Sequence, residues 1–181
     1  GPPFYAQPPG TTETGASLQY WSTLSWPNDQ RSEATIHNYN SDGANDLDLW
    51  VRINVAAGTA YNATTFGPVG LIIRYDPPDF SNTAILDEFN IVIIPGDVLA
   101  FEVSGPDLRF LQNENVLASV TDTNYASGSA GFGQESDTVV TDNQISLWRG
   151  YRVFEPAVDQ GSPSTYFGSP KPWWGKGRKR A

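Results

Sequence analysis

Residues 96–133 read GDVLAFEVSGPDLRFLQNENVLASVTDTNYASGSAGFG. Two segments with alternating apolar residues, 98–103 and 107–112, are separated by Ser-Gly-Pro, and a third, 116–121, follows Asn-Glu-Asn. Short alternating segments bounded by Gly, Pro and Asn are typical of β-strands joined by tight turns. This stretch therefore predicts consecutive antiparallel strands.

The same pattern continues through most of the chain. Alternation predicts a half-buried strand over residues 31–37 and a clearer one over 47–55. Three further segments read as two central strands and a closing one: 68–76, 89–94 and 144–154. Residues 58–65, which are small and polar, are predicted as a loop. No segment of ten residues has a helical period, so the fold class is all-β, a two-sheet antiparallel sandwich or barrel.

Composition excludes several classes of site. The chain has 181 residues, which fits one domain, and no cysteine, so disulfides, thiolate metal sites and thiol nucleophiles are impossible. A single histidine, His37, excludes a multi-histidine metal centre. No apolar run approaches 18 residues, and no membrane span is expected.

The two ends differ in composition from the middle. Residues 1–17 and 156–181 are rich in Pro and Gly and are predicted as an extended arm and a tail around a domain at 18–155. Aromatic residues in these ends are candidates for contacts between subunits of a homo-oligomer or a larger lattice: Phe4, Tyr5, Trp173 and Trp174.

Charge is unevenly distributed. The net charge is −9, yet five of the eleven basic residues lie in the last eleven positions, so the rest of the chain carries −14. An acidic body argues against nucleic-acid binding by the main domain. The basic tail suits an acidic neighbouring surface, with anionic lipid or nucleic acid as alternatives.

Glycines and turns at fixed spacing carry a family resemblance. The relevant segments are Gly96-Asp97 with Leu99, Val103 and Gly105, the set Asp122, Tyr125, Gly128 and Gly131, the segment Trp26–Gln30, and Gly70 followed by Arg74. This pattern resembles the concanavalin A-like lectin/glucanase (laminin-G-like) jelly roll, in its phage and bacterial surface-protein members, over residues 20–154. The resemblance implies a two-sheet jelly-roll β-sandwich. The usual Asn-Gly turn is replaced by Asn113-Glu114-Asn115, which predicts a longer turn there.

Two of these residues receive structural roles. Asp122 is expected to cap loop amides after its strand. Tyr125 is expected to bury its ring and to hydrogen-bond backbone through its hydroxyl.

Catalytic chemistry finds little support in the sequence. Glucanases that this pattern resembles place carboxylates as E-x-D-x-x-E on one strand, and a retaining glycosidase needs its two carboxylates about 5 Å apart. Here Asp87 and Glu88 are adjacent and so point to opposite faces, and Glu102 stands alone. The protein is predicted not to be an enzyme.

Two binding sites are candidates. Trp and Arg residues predicted on outer strand faces would stack on and hydrogen-bond a sugar: Trp50, Arg52, Trp148 and Arg149. An Asx-rich segment supplies hard oxygen ligands for a candidate Ca²⁺ site: Asp42, Asn45, Asp46 and Asp48. The cluster matches no EF-hand, and an ordinary Asx-rich turn is the alternative.

These features favour a non-enzymatic structural or attachment protein on a virion surface, such as a phage capsid decoration or tail-fibre component. The alternative is a carbohydrate-binding module of an extracellular bacterial protein, with a β-glucan hydrolase as a less favoured third.

Overall fold

The part of the chain that the structure describes contains twelve β-strands in two antiparallel sheets. The computed structural model describes residues 15–20, 26–39, 45–136, 144–151 and 173–174. The strands are β1 (Gly15–Tyr20), β2 (Gln30–Asn38), β3 (Asn45–Asn54), β4 (Thr59–Phe66), β5 (Val69–Asp76), β6 (Asn82–Asn90), β7 (Val98–Ser104), β8 (Asp107–Gln112), β9 (Asn115–Thr121), β10 (Ser129–Ser136), β11 (Gln144–Tyr151) and β12 (Trp173–Trp174). The described part contains no helix able to cross a membrane.

The strands cross between the two sheets in jelly-roll fashion. One sheet has seven strands in the order β12-β1-β10-β3-β4-β5-β6, and the other has five in the order β11-β2-β7-β8-β9. Neighbouring strands are antiparallel throughout. The predicted all-β, two-sheet antiparallel sandwich is confirmed.

The core lies between the sheets and follows from strand alternation. The seven-stranded sheet contributes Leu47, Leu49 and Val51 from β3, and Tyr61, Ala63 and Ile72 from β4 and β5. The five-stranded sheet contributes Leu99, Phe101, Val103, Leu108 and Phe110 from β7 and β8. Each of these positions alternates with a residue on the opposite face, as the sequence pattern predicts for β3, β7 and β8.

Strand β4 corrects the sequence interpretation. Residues 58–65 were predicted as a loop, but Thr59–Phe66 is a strand in the middle of the seven-stranded sheet and is buried on both faces. Its Ala, Asn and Thr residues give no strong apolar alternation. They fit because a central strand with large neighbours on both sides needs small side chains.

The apolar segment 89–94 is a second correction. The strand here is β6, Asn82–Asn90, and residues 91–94 instead form the crossover from the seven-stranded to the five-stranded sheet. Isolated hydrogen bonds, not a strand ladder, hold the backbone of the crossover. The Ile91 N–H donates to Pro68 O at 2.9 Å, and the Ile94 N–H donates to Asp97 Oδ2 at 2.9 Å. Ile91 and Ile93 are buried, which explains the apolar pattern without a ladder.

The β8–β9 turn is shorter than predicted. Asn113 and Glu114 both have positive φ, 51° and 65°, and they alone join the two strands. Positive φ at both central residues is the geometry of a two-residue type I′ turn. The turn is held by an ion pair between Glu114 and Arg31.

The chain segments at the two ends meet at one sheet edge. Strand β1 begins at Gly15, inside the predicted arm 1–17, and β12 pairs with it so that Ser17 and Trp174 are register partners. Trp173 and Trp174 thus lie in an edge strand of this sheet. Phe4 and Tyr5 lie outside the described residues.

Candidate functional site

A network of ion pairs and hydrogen bonds closes one end of the sandwich. The Arg74 guanidinium pairs with Asp76 at 2.8 Å and with Asp122 at 2.7 Å. Tyr61 Oη donates to Asp122 at 2.5 Å, and Tyr125 Oη donates to Asp76. The Tyr125 N–H donates in turn to Tyr61 Oη at 3.1 Å. Each carboxylate in this network has a cation and a phenol as partners, so it is a satisfied structural network.

The network also decides which groups are charged. Burial alone would raise the pKa of Asp122, but hydrogen bonds from Tyr61, Asn124 and Arg74 lower it overall. The hydrogen bond from Arg74 is the main cause that lowers the pKa of Asp76. Burial, followed by the hydrogen bond to Asp76, raises the pKa of Tyr125 to about 12. None of these groups is tuned to exchange a proton near pH 7.

The sequence prediction for this network is half confirmed. Asp122 accepts the backbone N–H of Asn124 at 2.8 Å, which is the expected capping bond. The Tyr125 hydroxyl, expected on backbone, instead donates to the Asp76 carboxylate.

Arg52 ties loops together at the same end. It is 2 % exposed and has a φ of 53°, which interrupts the alternation of β3. Its Nη1 donates to Tyr125 O at 2.6 Å, and its Nη2 donates to the carbonyls of Asn28 and Gly105 at 3.0 and 2.7 Å. The sequence pattern placed Arg52 beside Trp50 on an exposed face. The structure instead buries it among backbone carbonyls, because the left-handed residue breaks the period of two.

An aromatic cluster lies on the outer face of the seven-stranded sheet, the face turned away from the other sheet. The Trp50 and Tyr75 rings pack with centroids 4.9 Å apart, and Ala60, the register partner of Tyr75, belongs to the same cluster. Ile53 and Ile73 complete it. Trp50 is only 7 % exposed, so the predicted sugar-stacking ring is covered in this structure.

Polar side chains continue this outer face beside the aromatic cluster. Asn62 is the register partner of Trp50, and Thr64 is the register partner of Asp48. Asn62 Nδ2 donates to Asp48 Oδ1 at 3.1 Å. Among the side chains of this outer face, three buried atoms have no hydrogen-bond partner within the described part of the chain: Trp50 Nε1, Asn62 Oδ1 and Thr64 Oγ1. Each unmade bond of this kind costs about 1–3 kcal/mol. We call Trp50, Asp48, Asn62 and Thr64 the outer-face site.

Two loops bound one end of the outer-face site. The Phe80 N–H donates to Gly58 O at 3.2 Å, and the Phe80 ring packs edge-on against Tyr75 at 6.3 Å. Gly58 has a φ of 68°, and a Cβ there would lie 2.3 Å from the Asp79 nitrogen, so this close approach requires glycine. Asp48, Thr64 and Leu71 are register partners across β3, β4 and β5, at the end of the site farther from these loops. Asp48 and Leu71 are half-buried and reach solvent.

The remaining sugar-binding candidates lie on the five-stranded sheet. Trp148 is the register partner of Ala34, a core residue, and Arg149 is the register partner of Glu33. The part that these two residues play in sugar binding stays a prediction.

Three of the four candidate calcium ligands lie in strand β3, and the fourth lies outside the described residues. Asp46 and Asp48 lie two positions apart in β3, on one face, and Asn45 is the first residue of that strand. Asp42 lies outside the described residues. Residues that the structure describes include no group of three or more His, Asp or Glu side chains placed to hold a metal ion. The candidate Ca²⁺ site therefore stays a prediction.

The carboxylates considered for hydrolysis are engaged or separated. Glu102 pairs with Arg109 at 2.6 Å and with Arg31 at 3.3 Å on the outer face of the five-stranded sheet. Asp87 and Glu88 are register partners of Ile72 and Leu71, which lie on opposite faces. The Glu102 carboxylate is thus engaged by two arginines, one of which it shares with Glu33 and Glu114.

Comparisons with solved structures identify the fold. The carbohydrate-binding module CBM66 of Bacillus subtilis superposes with a TM-score of 0.58 at 16% identity, over 76% of this chain and 83% of that one. The legume lectin-like domain of Entamoeba histolytica gives 0.58 at 12%, over 83% and 84%. The exoplasmic/lumenal domain of VIP36, in a form bound to Ca²⁺ and Man3GlcNAc, gives 0.60 at 13%, over 87% and 82%. No family model and no curated protein matches the sequence.

The chain has a concanavalin A-like jelly-roll fold. The predicted resemblance is confirmed at the level of fold. The phage-type assignment and the virion role gain nothing from these likenesses and stay predictions.

Of the four residues in the outer-face site, the sequence analysis named Trp50 as a sugar-binding candidate and Asp48 as a calcium candidate. It did not name Asn62 or Thr64. The missed pair lies on β4, which was predicted as a loop. The sequence did contain a signal for this strand, because the polar residues Asn62 and Thr64 alternate with Tyr61 and Ala63, which are core residues.

Proposed function

We propose that the protein is a non-enzymatic carbohydrate-binding module, and that the sugar binds at the outer-face site. The observation that carries the proposal is the group of three unpartnered polar atoms, Trp50 Nε1, Asn62 Oδ1 and Thr64 Oγ1, beside the Trp50–Tyr75 pair. Buried polar atoms without partners are rare in folded proteins and call for an explanation.

Sugar hydroxyls match what these atoms need. The indole N–H donates, the amide oxygen accepts, and the Thr64 hydroxyl does both, while each sugar hydroxyl can both donate and accept. The adjoining aromatic pair is covered in the free chain, and its apolar surface would meet the C–H face of a ring only when the sugar displaces that cover. The fold likeness to a carbohydrate-binding module and to lectin domains supports the same proposal.

Charge narrows the ligand class to neutral sugars. Asp48 carries the half-buried carboxylate of the site, and Asp46 lies two positions away on the same strand face. Because uronic acids and sulfated sugars would meet these carboxylates and a net charge of −9, neutral glycans are favoured. We place the protein at a cell surface or outside the cell, where it would meet such glycans.

The test is a glycan array followed by calorimetry on two matched variants. Thr64→Val removes the unpartnered hydroxyl at the outer-face site, and Thr65→Val removes an equally buried, unpartnered hydroxyl one residue on, in register with Leu47 of the core. Loss of one ligand hydrogen bond should weaken binding roughly tenfold in Thr64→Val. Thr65→Val should bind as the unchanged protein does.

Two outcomes would refute the proposal, and one further control tests the calcium prediction. An array without hits among neutral glycans, or equal weakening by both variants, would refute the proposal. Trp50→Ala is a poorer probe because deleting a buried indole costs about 3–5 kcal/mol of folding free energy. Repeating the titration with Ca²⁺ and with a chelator tests the calcium prediction, since a calcium-dependent site would lose binding with the chelator.

A further inference from the structure

The side-chain amide of Asn62 has one orientation that its neighbours allow. Its Nδ2 donates to Asp48 Oδ1 at 3.1 Å and to Leu49 O at 3.4 Å. Turning the amide over would set its oxygen against a carboxylate and a carbonyl, which both accept hydrogen bonds and donate none. Asn62 therefore presents its oxygen to a ligand, and this oxygen has no partner within the described part of the chain.

Acceptors outnumber donors in the outer-face site. Thr64 is 4 % exposed, its hydroxyl has no partner within the described residues, and it is the register partner of Asp48. Such partners have Cβ atoms about 4.5–5.5 Å apart, and Asn62 lies two positions from Thr64 on the same strand face. This spacing lets an amide oxygen, a hydroxyl and a carboxylate converge on one ligand group. The Trp50 indole is the one side chain of the four that only donates.

Charge on this face of the sheet has a single sign in the described residues. The face carries the carboxylates of Asp46, Asp48 and Glu88. The described part contains five arginines and no lysine, and every arginine has its place elsewhere. They are Arg52 and Arg74 in the networks at the sandwich end, and Arg31, Arg109 and Arg149 in the five-stranded sheet. The charge that disfavours acidic sugars at this face favours a cationic sugar over a neutral one.

A protonated primary amine matches this set of groups better than a hydroxyl does. An ammonium has three N–H donors and no acceptor, whereas a hydroxyl donates one hydrogen. Its three donors correspond to Asn62 Oδ1, Thr64 Oγ1 and the Asp48 carboxylate. A cation taken out of water is stable only where each of its donors finds an acceptor and a charge of opposite sign is near. The outer-face site supplies both.

We propose that the outer-face site selects a sugar ring that carries a protonated amino group, as in a glucosamine oligosaccharide. This rests on the proposed function, glycan binding at the same site, and names the class of sugar. The ammonium lies among Asn62, Thr64 and Asp48. A neutral ring of the same shape binds there more weakly, because its hydroxyl donates to one acceptor at a time and lacks the charge-assisted bond to the carboxylate.

The experiment is calorimetry on the full chain with three short β-1,4-linked oligosaccharides of equal length. They differ only at C2, which carries an amino group, an N-acetyl group or a hydroxyl, as in the glucosamine, N-acetylglucosamine and glucose series. The amino form should bind at least about tenfold more tightly than the other two. Because the added attraction is ionic, this preference should shrink as salt is raised from roughly 50 to 500 mM.

Two matched variants test the role of the Asp48 carboxylate. Asp48→Asn keeps the shape of the side chain and removes its charge, so the preference for the amino form should be lost. Glu88→Gln removes an exposed carboxylate on β6, whose register partner Leu71 lies on the same outer face. The control should keep the preference, and thermal melts confirm that both variants are folded.

The outcomes separate this proposal from glycan binding itself. Equal affinity for the three oligosaccharides, with binding still weakened by Thr64→Val, overturns the amino-sugar proposal and leaves the proposed function in place. A preference that survives Asp48→Asn, or that is lost equally in Glu88→Gln, overturns it as well. Nα-acetyl-lysine amide carries the same ammonium without a sugar, and if it binds as tightly as the amino sugar, the selection is for an amine alone and the proposal is wrong. Absence of binding by all three oligosaccharides overturns both proposals.

Discussion

Strand β4 carries two polar sites of opposite character on its two faces. On the inner face, Tyr61 joins a network in which Arg74, Asp76, Asp122 and Tyr125 all have partners. On the outer face, Asn62 and Thr64 keep buried oxygens without partners. The two sites lie on one short strand, so differences in local backbone order do not explain the contrast.

If the outer-face site binds a sugar as proposed, the contrast separates a structural network from a binding surface. A fully paired buried network stabilises one arrangement of the chain and leaves no capacity for a ligand. A site with unmade hydrogen bonds is less stable alone and gains that energy only when a ligand supplies the partners. Polar residues in the same sandwich therefore have different roles according to whether their bonds are complete.

The largest expected effect comes from removing the cation of the paired network. Arg74→Met leaves the Asp76 and Asp122 carboxylates without their cation and should lower the free energy of unfolding by about 3 kcal/mol. Urea unfolding measures the change. The control is Arg109→Met, whose side chain is one-third exposed and whose partner Glu102 keeps Arg31; the expected loss is below about 1 kcal/mol. Equal losses in the free energy of unfolding would show that the Arg74 network stabilises the fold no more than the Arg109–Glu102 pair does.

Acid should weaken the paired network once its carboxylates become protonated. The pKa values of Asp76 and Asp122 are lowered in the folded chain, so their stabilisation is complete above the unfolded-state pKa of about 4 and is lost as pH falls through the lower folded values. Asp122→Asn should cost about 2 kcal/mol at pH 7, and the difference from the unchanged chain should shrink below about pH 3. Denaturant titrations at several pH values measure it.

An exposed carboxylate provides the control for this pH dependence. Asp79→Asn lies in the β5–β6 turn and should change stability by less than about 0.5 kcal/mol. A constant difference between Asp122→Asn and the unchanged chain at all pH values would contradict the assigned charge of Asp122.

Removing a hydroxyl from each face of β4 should give the smallest changes in the free energy of unfolding, and these changes should have opposite signs. Tyr61→Phe removes a hydroxyl that donates to Asp122 and accepts from the Tyr125 N–H, and should destabilise the fold by about 1–2 kcal/mol. Thr64→Val removes a hydroxyl without a partner and should stabilise it by about 0.5 kcal/mol. Destabilisation by Thr64→Val would mean that its hydroxyl is already paired in solution.

Local pattern predicts the fold well where strands are regular. The three strands between residues 98 and 121 agree with their predicted limits within one residue, because alternation and turn residues specify both the pairing and the ends. The 89–94 segment shows the weakness of this reasoning. A crossover can bury every second residue, Ile91 and Ile93, without being in a ladder.

The candidate site depends on features that local pattern does not show. Asn62 and Thr64 lie on a strand whose small polar residues are typical of loops, and only its central place in the sheet makes it a strand. Arg52 leaves the expected face because its own backbone is left-handed, and the surrounding strand-forming sequence does not predict this conformation. Both depend on tertiary contacts formed by distant segments.

The pairing of β1 with β12 has a consequence for how the protein would attach to something larger. Ser17 and Trp174 are register partners, so the first and last described strands share one edge of the seven-stranded sheet, and β6 forms the other edge. A partner held at the β1–β12 edge would therefore leave the β6 edge of the same sheet free.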